Sequence, residues 1–479
     1  MSLKKSVFMG VKWSTASQIG RQGMQIVTMI ILARLLSPID FGLVSMATVV
    51  IGFIAIFKDL GTASALIQRK HISDELLYSI FWLNAMFGLL ATAILLGSAP
   101  LIGRIYHEPR VTPILGTLSL TFFIAGLSTL QQTVLERNLE FGKLAKIELG
   151  VTLLSSIIGV ISALFQAGAW SLVYQTLVSV SATTILLWFV TGWQPKIIFD
   201  WNELKSITSY SLNLTGFSIF NYFARNADYF LIGRFLGVQS LGYYTLAYRI
   251  MLYPLQNIVW VIGRVIFPAF SQMQHDNTRF CYAYLRVTQT IAFVVFPLMV
   301  GLWALAEPFV LATFGASWQP VILLVLILSP IGMIHSIGTT VGDIYQAKGR
   351  TDWMLRWGLF AGTLVVCFFC IGLQWGIVGV AGAYAIVSAL LIYPSFAIPF
   401  KLIGLSMREF LAGLWRPFLC SLLMLAVLAG SRLILPNGLA SVWQLGILIP
   451  VGCLTYLLSS WLLNREQLQE TLSIVGMRN

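Results

Sequence analysis

Long apolar runs follow one another from near the N-terminus of this chain almost to its end, separated by short polar joints. Roughly fourteen of them reach the twenty or so residues that a helix needs to cross a hydrocarbon core of about 30 Å. They lie near residues 11–35, 40–66, 76–104, 110–135, 144–165, 170–192, 207–235, 239–268, 283–305, 318–346, 353–373, 377–400, 409–431 and 440–463. Several exceed the minimum length, which implies tilt, kinks or extension beyond the bilayer. The joints are too short to hold a separate soluble domain. The expected fold is an all-α polytopic membrane protein.

The pattern also repeats. Ile31–Gly42 returns in the same register as Leu231–Gly242, so that Arg34 falls on Arg234, Leu36 on Leu236, Gly42 on Gly242 and, further on, Ala47 on Ala247. The uncharged hairpins Gln166–Gly168 and Gln374–Gly376 supply a second match. Six spans precede residue 195 and six counterparts follow, an even number per half. The halves therefore share one orientation, and the expected arrangement is two six-helix lobes related by a pseudo-twofold axis along the membrane normal, around a central cavity. The divisions are 1–195 for the first lobe, 196–206 for a cytoplasmic linker, with Trp193 just before it and Trp201 within it at headgroup level, and 207–404 for the second lobe. Residues 405–479 add two helices and a cytoplasmic tail, whose apolar positions 468, 472 and 475 predict a short amphipathic helix. Pro254, Pro268, Pro297, Pro330, Pro394 and Pro399 lie within or near second-half spans and predict bends.

Composition narrows the class. With 58% hydrophobic and 10% charged residues and a mean hydropathy of +0.84, the chain is far from soluble domains, which carry about 25% charged residues. A net charge of +12 would suggest nucleic acid in a soluble protein, but its distribution argues against such a partner. Counted from a cytoplasmic N-terminus, about nineteen Lys and Arg gather on the cytoplasmic side, against about five outside: Arg34, Arg104, Arg110, Arg234 and Arg432. Both termini are then cytoplasmic, in a bacterial inner membrane. The first run is long and interrupted by Gln18, Arg21, Gln22 and Gln25, and so reads as a permanent helix rather than a cleaved signal. Cys367 and Cys370 read as small core residues like the other three cysteines, and the four histidines have no ligand spacing. No metal or cofactor is expected.

Charges inside a bilayer cost roughly 2.5–3.5 kcal/mol each at a helix centre, so they face partners or water. On the first helix Ser14, Gln18, Arg21, Gln25 and Thr28 fall on one stripe; on the repeat-related seventh, Ser218, Asn221, Tyr222, Arg225 and Asp228 do the same. Two such stripes at equivalent places predict one hydrated, cationic cavity. The substrate-binding candidates are Gln18, Arg21, Gln25, Lys58, Asn221, Arg225, Arg249 and Arg264. Asp59 and Asp228 are the nearby acids, and Asp343 and Glu148 are candidates for binding a coupling ion. An arginine fork binds phosphate oxygens bidentately, which points to an anionic head such as a diphosphate. Each residue also has a plainer reading: Arg21 on a helix carbonyl, Arg225 paired with Asp228, and Lys58, Arg249 and Arg264 snorkelling to an interface. Arg34 and Arg234 read as cations closing helix C-termini.

The run Ala33–Gly42, followed by Phe57–Gln68 and Phe81–Asn84, resembles the signature of the Wzx-type polysaccharide flippases, within the multidrug/oligosaccharidyl-lipid/polysaccharide exporter superfamily, and in particular its colanic acid exporter branch. The resemblance implies two helical lobes around a cavity and a glycan linked to undecaprenyl diphosphate, moved from the cytoplasmic to the periplasmic leaflet. It also implies a polymerase and other polysaccharide assembly proteins as partners besides the membrane lipids. A transporter of this kind catalyses no covalent step. One rival is a cation-coupled multidrug exporter of the same superfamily, which favours an acid in the first-half cavity where this chain has Arg21. The other is a membrane glycosyltransferase or polysaccharide polymerase, which commonly has a large outer loop or paired metal-binding acids, neither of which is visible.

Overall fold

A computed structural model describes residues 3–58, 66, 73–200, 212–436 and 438–474. Among them the regular structure is helical throughout. The helices are α1 (Leu3–Leu35), α2 (Pro38–Lys58), α3 (Asp74–Tyr106), α4 (Val111–Gly126), α5 (Thr129–Arg137), α6 (Phe141–Leu164), α7 (Trp170–Thr191), α8 (Leu212–Phe235) and α9 (Gly237–Gln272). They continue with α10 (Asn277–Ala304), α11 (Ala306–Thr313), α12 (Val321–Gly338), α13 (Val341–Ala347), α14 (Thr351–Gly372), α15 (Gly376–Ile403), α16 (Met407–Ile434), α17 (Ser441–Leu463) and α18 (Arg465–Ile474). Each apolar run of the sequence coincides, among the described residues, with one of these helices or with a broken pair of them. Among the described residues, nine segments are long and apolar enough to cross a membrane, ten with the bent pair α4–α5; one of the nine, Thr351–Ile403, runs through both α14 and α15. The expected count of fourteen spans is thus not reached among the described residues, which hold nine or ten.

Helix ends carry the expected chemistry. Ser73 caps α3 by accepting from the Leu76 amide, Asp276 caps α10 through the Arg279 amide, and Ser406 with Glu409 forms a capping box on α16. Each such cap contributes about 1 kcal/mol. Arg34 and Arg234 lie in the last turns of α1 and α8, where a cation meets the negative end of the helix dipole.

The chain divides into two compact units, residues 1–242 and 243–479. The first includes α8, the helix that opens the second repeat. In this unit α3 and α4 approach closely because Gly88 faces the Phe122 carbonyl and Gly126 faces the Asn84 carbonyl. The fourth span is broken between α4 and α5 by 44°, a feature the sequence run did not reveal. At the break α7 meets the freed polar groups: the Trp188 indole donates to the Leu127 carbonyl at 2.7 Å, and the Thr184 hydroxyl contacts the Ile124 carbonyl and Ser128 Oγ, each at 3.0 Å. A helix break at membrane depth persists only with such partners. The start of the linker is pinned to α3, where Trp193 stacks on Tyr78, the Trp82 indole donates to the Lys196 carbonyl, and the Asp200 amide donates to Ser79 Oγ. Trp201 lies outside the described residues.

The second unit has a core rich in aromatics: Phe270, Phe280, Tyr284, Phe396, Phe400 and Phe410. The span made of α12 and α13 is also interrupted, at Thr339 and Thr340, where Thr340 Oγ1 lies 3.3 Å from the buried Tyr284 hydroxyl. The predicted tail helix is α18. It docks on α10 through a Gln467–Thr290 hydrogen bond and a Glu470–Arg286 ion pair, while Leu468 joins the cluster around Tyr456 and Leu448. Along α17, Leu454, Leu457, Leu458, Trp461 and Leu462 are exposed. An apolar face of that extent is unstable in water and is what a lipid-facing helix presents.

Candidate functional site

The polar stripe of α1 is held against α6. Gly20 carries no side chain to push α6 away; a Cβ there would stand 3.2 Å from Leu149 Cδ2. One residue along on each helix, Arg21 Nη1 lies 3.3 Å from Glu148 Oε2, with the two side chains 30% and 40% exposed. Arg21 Nη2 also donates to Gln18 Oε1. Gln25, one turn on, is exposed, and Thr28 is buried with its hydroxyl turned back to the Met24 carbonyl at 2.8 Å. The stripe is therefore graded, with an ion pair at one end, an open amide next, and a packed hydroxyl at the other. Arg21 meets a carboxylate rather than the helix carbonyl of its plainer reading.

The matching stripe on α8 is positioned by α2. The Tyr222 hydroxyl donates to the Val49 carbonyl at 2.6 Å, the Tyr222 ring occupies the space that a side chain at Gly52 would fill, and Phe53 packs on both Tyr222 and Phe223. With Tyr222 fixed, Asn221 and Arg225 are exposed, whereas Asp228 is 2% exposed. The Asp228 carboxylate accepts from the Tyr229 amide at 2.8 Å. The first turns of α2 also pack against the first turns of α9. A Cβ on Gly42 would overlap the Val238 carbonyl oxygen, and one on Gly242 would overlap that of Pro38. Pro38 and Val238 are themselves repeat-equivalent, so the contact is reciprocal in the way a two-fold axis generates. Nearby, Arg234 Nη1 lies 2.5 Å from His107 Nδ1, and Phe230 packs edge-on to Tyr106.

The remaining candidates are more scattered. Arg249, in the second unit, is exposed, and Asp343 is half-buried in the short α13 after the break. The side chains of Lys58, Ser14, Ser218 and Arg264, and all of Asp59, lie outside the described residues. Residue reasoning treated Glu148 as a separate coupling candidate and missed its pairing with Arg21. The available signal was Gly20 beside Arg21 on one helix, but the partner helix could not be read from it. It also took Tyr222 as part of the polar stripe, whereas its hydroxyl is a helix-to-helix tie.

A bundle of long apolar helices carrying part-exposed arginines and amides within its spans defines a multi-pass membrane transporter. Residues 31–323 match the family described as "Polysaccharide biosynthesis protein", and the chain belongs to it. The lipopolysaccharide biosynthesis protein WzxC of Escherichia coli (strain K12) is 29% identical over 444 residues, covering 92% of this chain and 90% of that protein. The teichuronic acid biosynthesis protein TuaB of Bacillus subtilis (strain 168) is 29% identical over 460 residues, 95% of each. Among solved structures, the lipid II flippase MurJ in an inward closed conformation covers 96% of this chain and 100% of its own at a TM-score of 0.74 and 18% identity, a likeness of fold.

Proposed function

We propose that the protein is a flippase that carries undecaprenyl-diphosphate-linked oligosaccharide repeat units, of an exopolysaccharide such as colanic acid or of an O-antigen, from the cytoplasmic to the periplasmic leaflet of a bacterial inner membrane. Both termini lie in the cytoplasm. The observation that carries this reading is the family match together with end-to-end similarity to WzxC.

The physical task suits the residues present. A polyprenyl tail can stay in lipid throughout, so only the diphosphate and glycan must cross, and the cost falls on two phosphate charges and many hydroxyls. Arg225, exposed on a helix within the bundle, and Arg21, part-exposed beside Gln18, offer planar donors to phosphate oxygens, while Asn221 and Gln25 offer amides to sugar hydroxyls. Access alternates between the two membrane faces, and no bond is made or broken. A polymerase on the outer face consumes the delivered unit. An interior-negative membrane potential favours outward movement of an anion by about 2.3 kcal/mol per charge per 100 mV.

Arg225→Ala is the direct test, because Arg225 is exposed and forms no ion pair among the described residues. In cells that depend on this protein for export, lipid-linked repeat units are expected to accumulate about tenfold, the equivalent of roughly 1.4 kcal/mol of lost head-group binding, with Arg225→Lys intermediate. Unchanged export at normal protein abundance would remove Arg225 from the site. Efflux of cationic dyes that depends on Asp228 would favour the multidrug exporter instead.

A further inference from the structure

The Arg21–Glu148 contact is built for exchange rather than for permanence. Its single nitrogen–oxygen approach is 3.3 Å, long against the roughly 2.7–2.9 Å of a charge-assisted hydrogen bond and lacking the second parallel bond of a fork-to-fork pair. Both side chains keep a third or so of their surface open. A clasp that only held α1 to α6 would be served better by a buried bidentate pair, and Gly20 with Leu149 already provides the close packing. Among the described residues the further contact of the guanidinium is to the neutral amide of Gln18, so there an arriving anion displaces one charged ligand, Glu148.

The depth of the pair fits an entry station. Arg21 precedes the end of α1 by fourteen residues and Glu148 precedes the end of α6 by sixteen, about 21 and 24 Å at 1.5 Å per residue. Those two ends lie at one face of the unit, since Gly168, after α6, sits against the Asp40 carboxylate, after α1. In a core about 30 Å thick the pair therefore lies in the half nearer the opposite face. By the charge bias, that face is cytoplasmic.

Resting on the function proposed above, we propose that Glu148 is a displaceable counter-ion: it occupies Arg21 when no substrate is bound and yields the guanidinium to the diphosphate of an entering lipid. Glu148 is then a positioning residue. It keeps a lone cation in the membrane neutralised, and it sets how tightly the head is held, because every substrate must compete with it.

The test uses the full-length protein in nanodiscs with undecaprenyl diphosphate as the probe. Glu148→Gln removes the competing charge and is expected to tighten binding about 3- to 10-fold, the scale of a half-exposed ion pair. Arg21→Ala weakens binding, and the double variant matches Arg21→Ala alone. A folded Glu148→Gln protein that binds no tighter than wild type, or more weakly, overturns the proposal in favour of a structural clasp. Should that variant not fold, Glu148→Asp draws the carboxylate back by one methylene and is expected to tighten binding by a smaller factor; no tightening there overturns it equally. Wild-type protein that fails to bind undecaprenyl diphosphate at all removes the lipid-head function and this inference together. Normal wild-type binding with an unresponsive Glu148 removes the inference alone.

Discussion

At the scale of single residues, what separates the charged side chains is how each is satisfied. Arg225 stands exposed beside a buried Asp228, Arg21 shares a half-open contact with Glu148, and Arg110 grips Glu108 through two bonds of 2.8 Å. The last pair sits in the joint between α3 and α4, outside the spans, where the Arg110 guanidinium holds the Glu108 carboxyl below the usual carboxylate range. A depressed acid contributes stability above its unfolded-chain pKa, and loses it as the pH falls through the lower folded value. Arg110→Ala is therefore expected to cost about 0.2–1 kcal/mol at neutral pH, as exposed pairs do. The difference from wild type should vanish in acid once Glu108 is protonated in both. Thermal melts of the detergent-solubilised protein across pH would show it; a gap that persists at low pH assigns Arg110 another role.

At the scale of elements, α2 makes close joints with α8 and with the start of α9. Tyr222 ties α8 to the Val49 carbonyl, and the Gly42–Val238 and Gly242–Pro38 approaches leave no room for a methyl group against backbone atoms that cannot swing aside. Gly242→Ala should destabilise the protein by about 1–3 kcal/mol, the cost of overpacking a close contact, read as a lower melting temperature. Gly382→Ala, with nothing within 4 Å of the added methyl, is the control and should be near neutral. Equal melting of the two variants would mean that the joint yields. The sequence repeat marks Gly42 and Gly242 as equivalent, but not that Gly42 meets Val238 while Gly242 meets Pro38. Equivalence is a property of one-dimensional register, while contact depends on which helices lie side by side.

For the whole molecule, the expectation concerns energy rather than shape. Purified protein in vesicles is expected to flip undecaprenyl-diphosphate-linked repeat units without an imposed ion gradient, and to do so faster when the compartment of origin is made negative, because the cargo is an anion. Fluorescent or enzymatic scoring of the exposed glycan would follow it. Flipping that occurs only with a proton or sodium gradient would instead require an ion site, and the half-buried Asp343 would be the first acid to replace.

The order and approximate ends of the helices, the duplicated pattern and the family were all present in the sequence. They depend on local hydropathy over about twenty residues and on register along the chain, both of which a linear string preserves. Other features were settled only in three dimensions: the break at Leu127, the pairing of Arg21 with Glu148, the tie from Tyr222 to Val49, and the docking of α18 on α10. The last three join residues on separate helices, and the break is held by polar groups of α7; in a membrane nearly every face of such a helix is apolar. Hydropathy therefore says little about which neighbour a face will meet; close packing and the satisfaction of a few polar atoms decide it.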